Sequence, residues 1–414
     1  MPTVVVSPFN VASYPEGAGH FWVYFQYVLG LQRLGYDVYW LEAFRTKGRL
    51  EREAAALKAF RERAYAHGLR GRLILYQTHS KDAENDVPAE YLEMPREEAE
   101  AIYARADLLL NFHYAISPAL LARFRCTALV DIDPGLLQFW ISRRQIEVPR
   151  HDYYFSTGET VGQPGSRIPD DGLPWRPIRP VVFLDAWPYR YDPASVALTT
   201  ISSWDSSDWI VDAQAQETYE NTKRVAFLEF ADLPRFTPQP LELALFLRHE
   251  RDFSDSEELK KRGWRIVPSR EIASSTERYQ AYIQQSRGEF SCAKRSCMKF
   301  QNAWVSDRTL CYLASGKPVV VQDTGPSAFL PNGEGMFRFT TPRDAADAID
   351  AINADYEHHC RAARKLAETH FDAQLTMRRI LDATLGARPV AEDSVALPGR
   401  DFHGEIAPAV SSSP

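Results

Sequence analysis

One segment constrains this chain more than any other: Ser286–Gly325, SRGEFSCAKRSCMKFQNAWVSDRTLCYLASGKPVVVQDTG. Gly288–Ser291 is a short extended run, and Cys292–Trp304 a polar loop flecked with basic residues. After Ser306-Asp307-Arg308, the residues Thr309, Leu310, Leu313 and Ala314 recur at helical spacing. Ser315-Gly316-Lys317-Pro318 stops that helix, with Gly at its end and Pro two residues later. Val319–Gln322 is then a continuous apolar strand, and Asp323-Thr324-Gly325 turns away from it. Strand, Ser/Asp-capped helix and strand in this order belong to a parallel sheet buried on both faces. The helix start offers free N–H groups and a positive dipole end, which suit a diphosphate.

The N-terminus begins the same way. Thr3–Ser7 predicts a buried strand that empties into a loop carrying Gly17 and Gly19. A helix from His20 with Phe21, Phe25, Val28 and Leu31 on one stripe follows, and Tyr36–Leu41 is the next strand. This βαβ opening predicts a parallel sheet. Further strands are expected at Leu73–Tyr76, Asp107–Phe112, Thr127–Asp131 and Asp152–Thr157. Residues 162–180 hold five prolines and three glycines and are the best candidate linker in the chain. The expected organisation is residues 1–165 as one α/β domain, 166–180 as linker and 181–373 as a second α/β domain. A closing helix at 374–387 and a disordered tail at 388–414 complete it. Ligands in such folds sit beyond the carboxyl ends of the strands, here in a cleft between the halves.

With 414 residues, two cores are affordable. A formal charge of −7 argues against broad nucleic-acid binding, which needs an electropositive face. The five cysteines show no CxxC pair or zinc-type comb and are expected to be reduced, in a cytoplasmic protein. MPTVVVSPFN lacks the basic start of a signal peptide, and no apolar run approaches the ~20 residues a membrane helix needs.

Leu310-Cys311-Tyr312-Leu313-Ala314-Ser315-Gly316-Lys317-Pro318-Val319-Val320 resembles the A-x-G-K/R-P-V-V helix end of the GT-B glycosyltransferases. The Asp323-Thr324-Gly325 turn, the Glu334-Gly335 pair and the helices of Asp344–Leu366 extend the likeness over roughly residues 286–371. The resemblance implies two Rossmann-like domains facing a central cleft and a hexosyl transfer from a nucleotide-sugar donor, which acts as substrate, to an unidentified acceptor. No separate cofactor and no metal are implied. It places the donor diphosphate at Ser306, Asp307 and Arg308, with Glu289, Lys294, Trp304, Asp323, Thr324 and Gly325 around it. Arg308 would add charge-assisted hydrogen bonds. The alternative at these positions is a plain capped helix with a surface arginine. Lys223 and Arg224 are a second candidate pair for stabilising the leaving diphosphate.

One departure is informative. Many retaining members carry two glutamates eight residues apart across this helix; here those positions are Ala303 and Cys311. Their donor-binding role does not carry over, and retention of configuration is not implied. In the N-terminal half, Gly17-Ala18-Gly19-His20 resembles the family's glycine loop, where inverting members place a catalytic histidine. His20 is thus a candidate base with a suitable ordinary pKa of ~6.5, or a histidine packing the helix start. Asp131-Ile132-Asp133 reads first as a turn before Pro134-Gly135, with Asp131 a second candidate base. A nucleotide-sugar epimerase and an inactive nucleotide-sugar-binding protein remain the alternatives to transfer.

Overall fold

The structure, a computed structural model, describes residues 1–14, 17–46, 48–78, 90–205 and 209–386. The expected disordered tail at 388–414 lies outside the described residues.

The N-terminal half alternates strand and helix. It runs β1 (Thr3–Ser7), α1 (Ala18–Arg33), β2 (Asp37–Arg45), α2 (Leu50–Ala66), β3 (Leu73–Thr78) and a short β4 (Glu90–Tyr91). Then come α3 (Arg96–Arg105), β5 (Leu108–Asn111), α4 (Pro118–Leu121), β6 (Thr127–Asp131), α5 (Leu136–Ser142), β7 (Tyr153–Ser156) and β8 (Trp175–Pro177). The strands form one eight-stranded sheet in the order β4-β3-β2-β1-β5-β6-β7-β8. All neighbours are parallel except β4 against β3. Val4, Val5 and Val6 are fully buried because helices cover both faces of β1.

The Pro/Gly segment expected as a linker is instead part of this domain. Residues Trp175–Pro177 pair with Tyr154–Ser156 as the edge strand β8. Proline is tolerated there because an edge strand leaves one row of groups unpaired. The apolar run Val181–Leu184 that follows is not a strand. Val182 makes a single bridge to Asp372, and Leu184–Ala186 is a turn of 3-10 helix.

The second sheet starts at β9 (Leu198–Ser203). A hairpin, β10 (Trp209–Asp212) and β11 (Glu217–Glu220), leads into α6 (Lys223–Leu228). Next are β12 (Leu241–Phe246), α7 (Glu250–Lys261), β13 (Arg265–Pro268), α8 (Ser269–Ile272), α9 (Thr276–Gln285) and β14 (Gly288–Ser291). The chain continues through α10 (Arg295–Phe300), α11 (Asp307–Ala314), β15 (Val319–Gln322), β16 (Met336–Phe339), α12 (Pro342–Ala354) and α13 (Tyr356–Leu366). Six strands pair, all parallel, in the order β13-β12-β9-β14-β15-β16. Gly316 adopts a φ of +71° directly after α11, the left-handed stop expected from the Gly-Lys-Pro signal.

The last helix, α14 (Ala373–Leu385), returns to the first domain and packs on α1, with Met377, Ile380 and Leu381 buried. A single apolar cluster therefore runs from Val4 and Phe21 through Tyr279, Leu310 and Leu313 to Met377. The helices α1, α9, α11 and α14 pack together as the seam between the sheets.

Candidate active site

One wall of the candidate site is built where β9, β14 and β15 end and α11 begins. Ser306 is the N-cap of α11, but its hydroxyl makes no capping bond. Apart from the Asp307 amide, which its own carboxyl reaches, the first-turn amides are not taken up by the N-cap side chain, an arrangement that suits an anion. A small recess beside them is lined by Ser291, Ala293, Trp304, Ser306, Thr309 and Thr324. Asp307 is half-buried in the cleft wall, and burial pushes its carboxyl up to about 7.

Arg308 does not do what its position in the sequence suggests. Its Nε donates to Glu289 Oε1 at 2.7 Å, its Nη1 to the Ile201 carbonyl at 2.8 Å and its Nη2 to Ser291 Oγ at 2.7 Å. Glu289 is fully buried on β14, so the pair lies beneath the strand ends. The guanidinium ties α11 to β9 and β14. The expectation that Arg308 and Glu289 meet the donor directly is corrected on that geometry.

The cation that the wall does present is Lys223. Its Nζ donates to the Cys292 carbonyl at the end of β14 and lies 5.3 Å from the centre of the Trp304 ring. Burial, with Arg308 nearby, lowers its pKa to about 8. Arg224, by contrast, turns away to Asp255, with Nε to Oδ2 at 2.6 Å. Lys294 is the N-cap of α10 and lies near enough to lower the pKa of Lys223 slightly further. Asp323 is paired with Arg338, Thr324 Oγ1 donates to the Trp304 carbonyl at 2.9 Å, and the Gly325 amide donates to Asp323 Oδ1 at 2.9 Å. These three form a turn that braces the loop before α11.

Across the cleft, His20 occupies the first turn of α1. Its Nε2 lies 2.8 Å from the Phe9 carbonyl. A carbonyl only accepts, so Nε2 carries the proton and Nδ1 keeps its lone pair. Burial lowers the His20 pKa, opposed by the Phe9 carbonyl and by the charge of Asp133. Gly17 caps α1 without side-chain help. Gly19 faces Tyr279 of α9, whose ring a Cβ would meet at 2.8 Å. The glycines serve helix entry and domain packing.

Asp131 is buried and fully engaged. It accepts from Gln138 Nε2 at 2.7 Å, Ser156 Oγ at 2.8 Å and the Asp133 amide at 3.0 Å, with burial raising its pKa to about 6. Asp131 makes the turn, and the exposed carboxylate on that turn is Asp133. Its charge is felt by His20, by Asp307 and by Cys297. Of the two aspartates, Asp131 is committed to the turn and Asp133 is the one open to solvent. The strand β6 ends at Asp131, so Asp133 lies beyond it on the turn.

Cys311, standing where retaining enzymes have a glutamate, is buried in the domain seam, 3.7 Å from Gln26 Nε2. Gln26 also accepts from the Phe183 amide at 2.8 Å, so this position serves the interface. Asn302, fully buried, donates to the Pro134 carbonyl at 2.7 Å and links the loop before α11 to the Asp133 turn. Among the described residues no three His, Cys, Asp or Glu side chains converge as a metal site, and no helix is long and apolar enough to cross a membrane.

Two largely parallel sheets joined in this way match solved structures. HepE of Anabaena in complex with UDP-glucose aligns with a TM-score of 0.54, at 10% identity over 92% of this chain and 100% of that chain. The chain has the GT-B fold. Sucrose-phosphate synthase of Thermosynechococcus elongatus aligns similarly, with a TM-score of 0.52 and 11% identity over 92% of this chain and 98% of that chain. At such identities the likeness is one of fold. No protein-family model matches the chain, and no curated protein matches it in sequence. In GT-B terms, α11 and Lys223 stand on the C-terminal wall of the cleft, and His20 and Asp133 on the N-terminal wall.

Proposed function

We propose that this chain is a metal-independent, cytoplasmic glycosyltransferase moving a sugar from a nucleotide-sugar donor to an acceptor hydroxyl. The observation that carries the reading is the opposition across one cleft of an anion-binding wall and a base-bearing wall. The first consists of the uncapped α11 start with Lys223, the second of His20 and Asp133.

The donor diphosphate sits on the first-turn amides of α11, with Lys223 neutralising the charge that grows as the glycosidic bond breaks. His20 Nδ1, neutral at pH 7 and oriented through Nε2, takes the proton of the acceptor hydroxyl, with Asp133 beside it stabilising the imidazolium. Glu289 buried under Arg308 and Asp323 paired with Arg338 leave few carboxylates on the donor wall. That favours transfer over epimerisation, which needs acid/base groups around the donor sugar.

The test is a thermal-shift screen of nucleoside diphosphates and their sugars against the chain and Lys223→Met. Stabilisation by one nucleoside diphosphate, reduced in the variant, together with slow donor hydrolysis, is the expected outcome. No response to any nucleotide refutes the reading, and conversion of a nucleotide sugar into its epimer replaces it.

A further inference from the structure

A cavity of about 640 Å³ lies on the N-terminal side of the cleft, and neither the start of α11 nor Lys223 lines it. Its walls come from the carboxyl ends of parallel strands: Pro8–Asn10 after β1, Ala43–Arg45 at the end of β2 with the start of α2, and His113–Tyr114 after β5. Arg248, which follows β12, reaches it from the other domain. That volume is within the ~300–1,000 Å³ usual for small-molecule sites.

The lining is strongly positive in a chain of formal charge −7. Among the described residues that line it, Arg45, Arg49, Arg52 and Arg248 are accompanied by one carboxylate, Glu53. Glu53 accepts from the Arg49 backbone amide at 3.1 Å. Among the described residues, Arg49 and Arg52 form no ion pair, and Arg248 Nη2 donates to a carbonyl, that of Asp205, at 2.5 Å. All three guanidiniums are solvent-exposed and, among the described residues, none has a carboxylate partner, so an oxyanion entering the cavity meets several donors and no competing ion pair. Phe9 and Tyr114 stack at 5.6 Å on the opposite side. Phe9 is also the residue whose carbonyl orients His20, and Tyr14 of the same cavity lies edge-on to the His20 ring at 5.9 Å. The cavity therefore adjoins the proposed base.

We infer that this cavity is the acceptor site and that the acceptor is a polyol carrying a phosphate or carboxylate, held by Arg49, Arg52 and Arg248. Guanidiniums match both oxyanions bidentately, and the aromatic wall takes the apolar face of the polyol. This inference rests on the glycosyltransferase reading above, but its binding test is independent of the donor.

Calorimetric titration of the full chain with glucose 6-phosphate, glucuronate and glucose measures the charge preference. An anionic sugar binds and glucose at the same concentration does not. Which of the two anions binds more tightly distinguishes phosphate from carboxylate. In Arg49→Gln/Arg52→Gln, both on the exposed start of α2, that affinity falls at least ten-fold while the melting temperature holds. Equal binding of glucose, equal binding to the double variant, or no binding of either anion overturns the inference. The nucleoside diphosphates of the thermal-shift screen are titrated alongside: binding of none of them, with the anion response intact, removes the donor reading and leaves the anionic site standing.

Discussion

Burial lowers the pKa of Lys223 from 10.5 to about 8. A folded-state value below the unfolded one means stability is lost as the pH falls from about 10.5 through about 8, where the buried amine takes up its proton. At ~1.4 kcal/mol per pKa unit the penalty at neutral pH is about 3 kcal/mol. Lys223→Met keeps the volume and removes the charge, so unfolding by urea at pH 7 should show equal or greater stability. Donor turnover should meanwhile fall ~10²–10³-fold, the usual loss for one group that stabilises a leaving charge. In the parent protein kcat/KM should decline as the pH rises through about 8, and Lys223→Arg should abolish that decline. A variant that is less stable yet fully active would remove Lys223 from the mechanism. Arg308 is the contrasting case. Its loss would leave Glu289 buried and unpaired, a change of ~3–5 kcal/mol in stability that would mask any effect on the donor.

The helix pair α1 and α9 sets how closely the two walls of the site approach. Gly19 lies in the first turn of α1, where alanine is normally better than glycine by about 1 kcal/mol. Here a Cβ would come within 2.8 Å of the Tyr279 ring, which is itself buried. Gly19→Ala should therefore reverse the usual sign and destabilise by ~1–3 kcal/mol, the range for overpacking. Denaturant unfolding measures this, and Gly19→Ala with Tyr279→Leu should recover part of the loss. Stabilisation by Gly19→Ala alone would show that the helices have room to spare. The α11 element shows the same dependence on neighbours: its stop at Gly316 is local, while its anion-ready start depends on Ser306 not turning back to cap it.

At the scale of the molecule, two sheets share one apolar cluster, and α14 fastens the C-terminal end of the chain to α1. Gly30 of α1 lets Met377 and Ala373 approach, and Met377 is fully buried. Met377→Ala should cost ~2–5 kcal/mol. Scanning calorimetry should show one transition that moves down as a unit, because the lost contacts belong to both domains. Two separated transitions, one unmoved by the substitution, would mean that the domains melt independently.

Much of this architecture was legible in the residues. Apolar runs such as Thr3–Ser7 and Val319–Gln322 are each long enough to demand burial on two faces, so a parallel α/β fold follows from local pattern alone. The Ser-Asp start and Gly-Lys-Pro stop of α11 are likewise local signals, and they fixed the bounds of that helix. The sequence could not state direction. Arg308 and Lys223 are both basic residues near the start of α11, and only their tertiary partners, buried Glu289 for one and the Cys292 carbonyl with Trp304 for the other, decide which faces the cleft. Asp133 rather than Asp131 stands exposed because Gln138 and Ser156 claim Asp131 from elsewhere in the chain. The Pro/Gly segment became β8 because the edge of β7 had a free row of hydrogen-bonding groups to offer. Periodicity and chain stops depend on neighbours in sequence, so the sequence determined them. Side-chain direction and edge pairing depend on neighbours in space, and only the tertiary structure decided those.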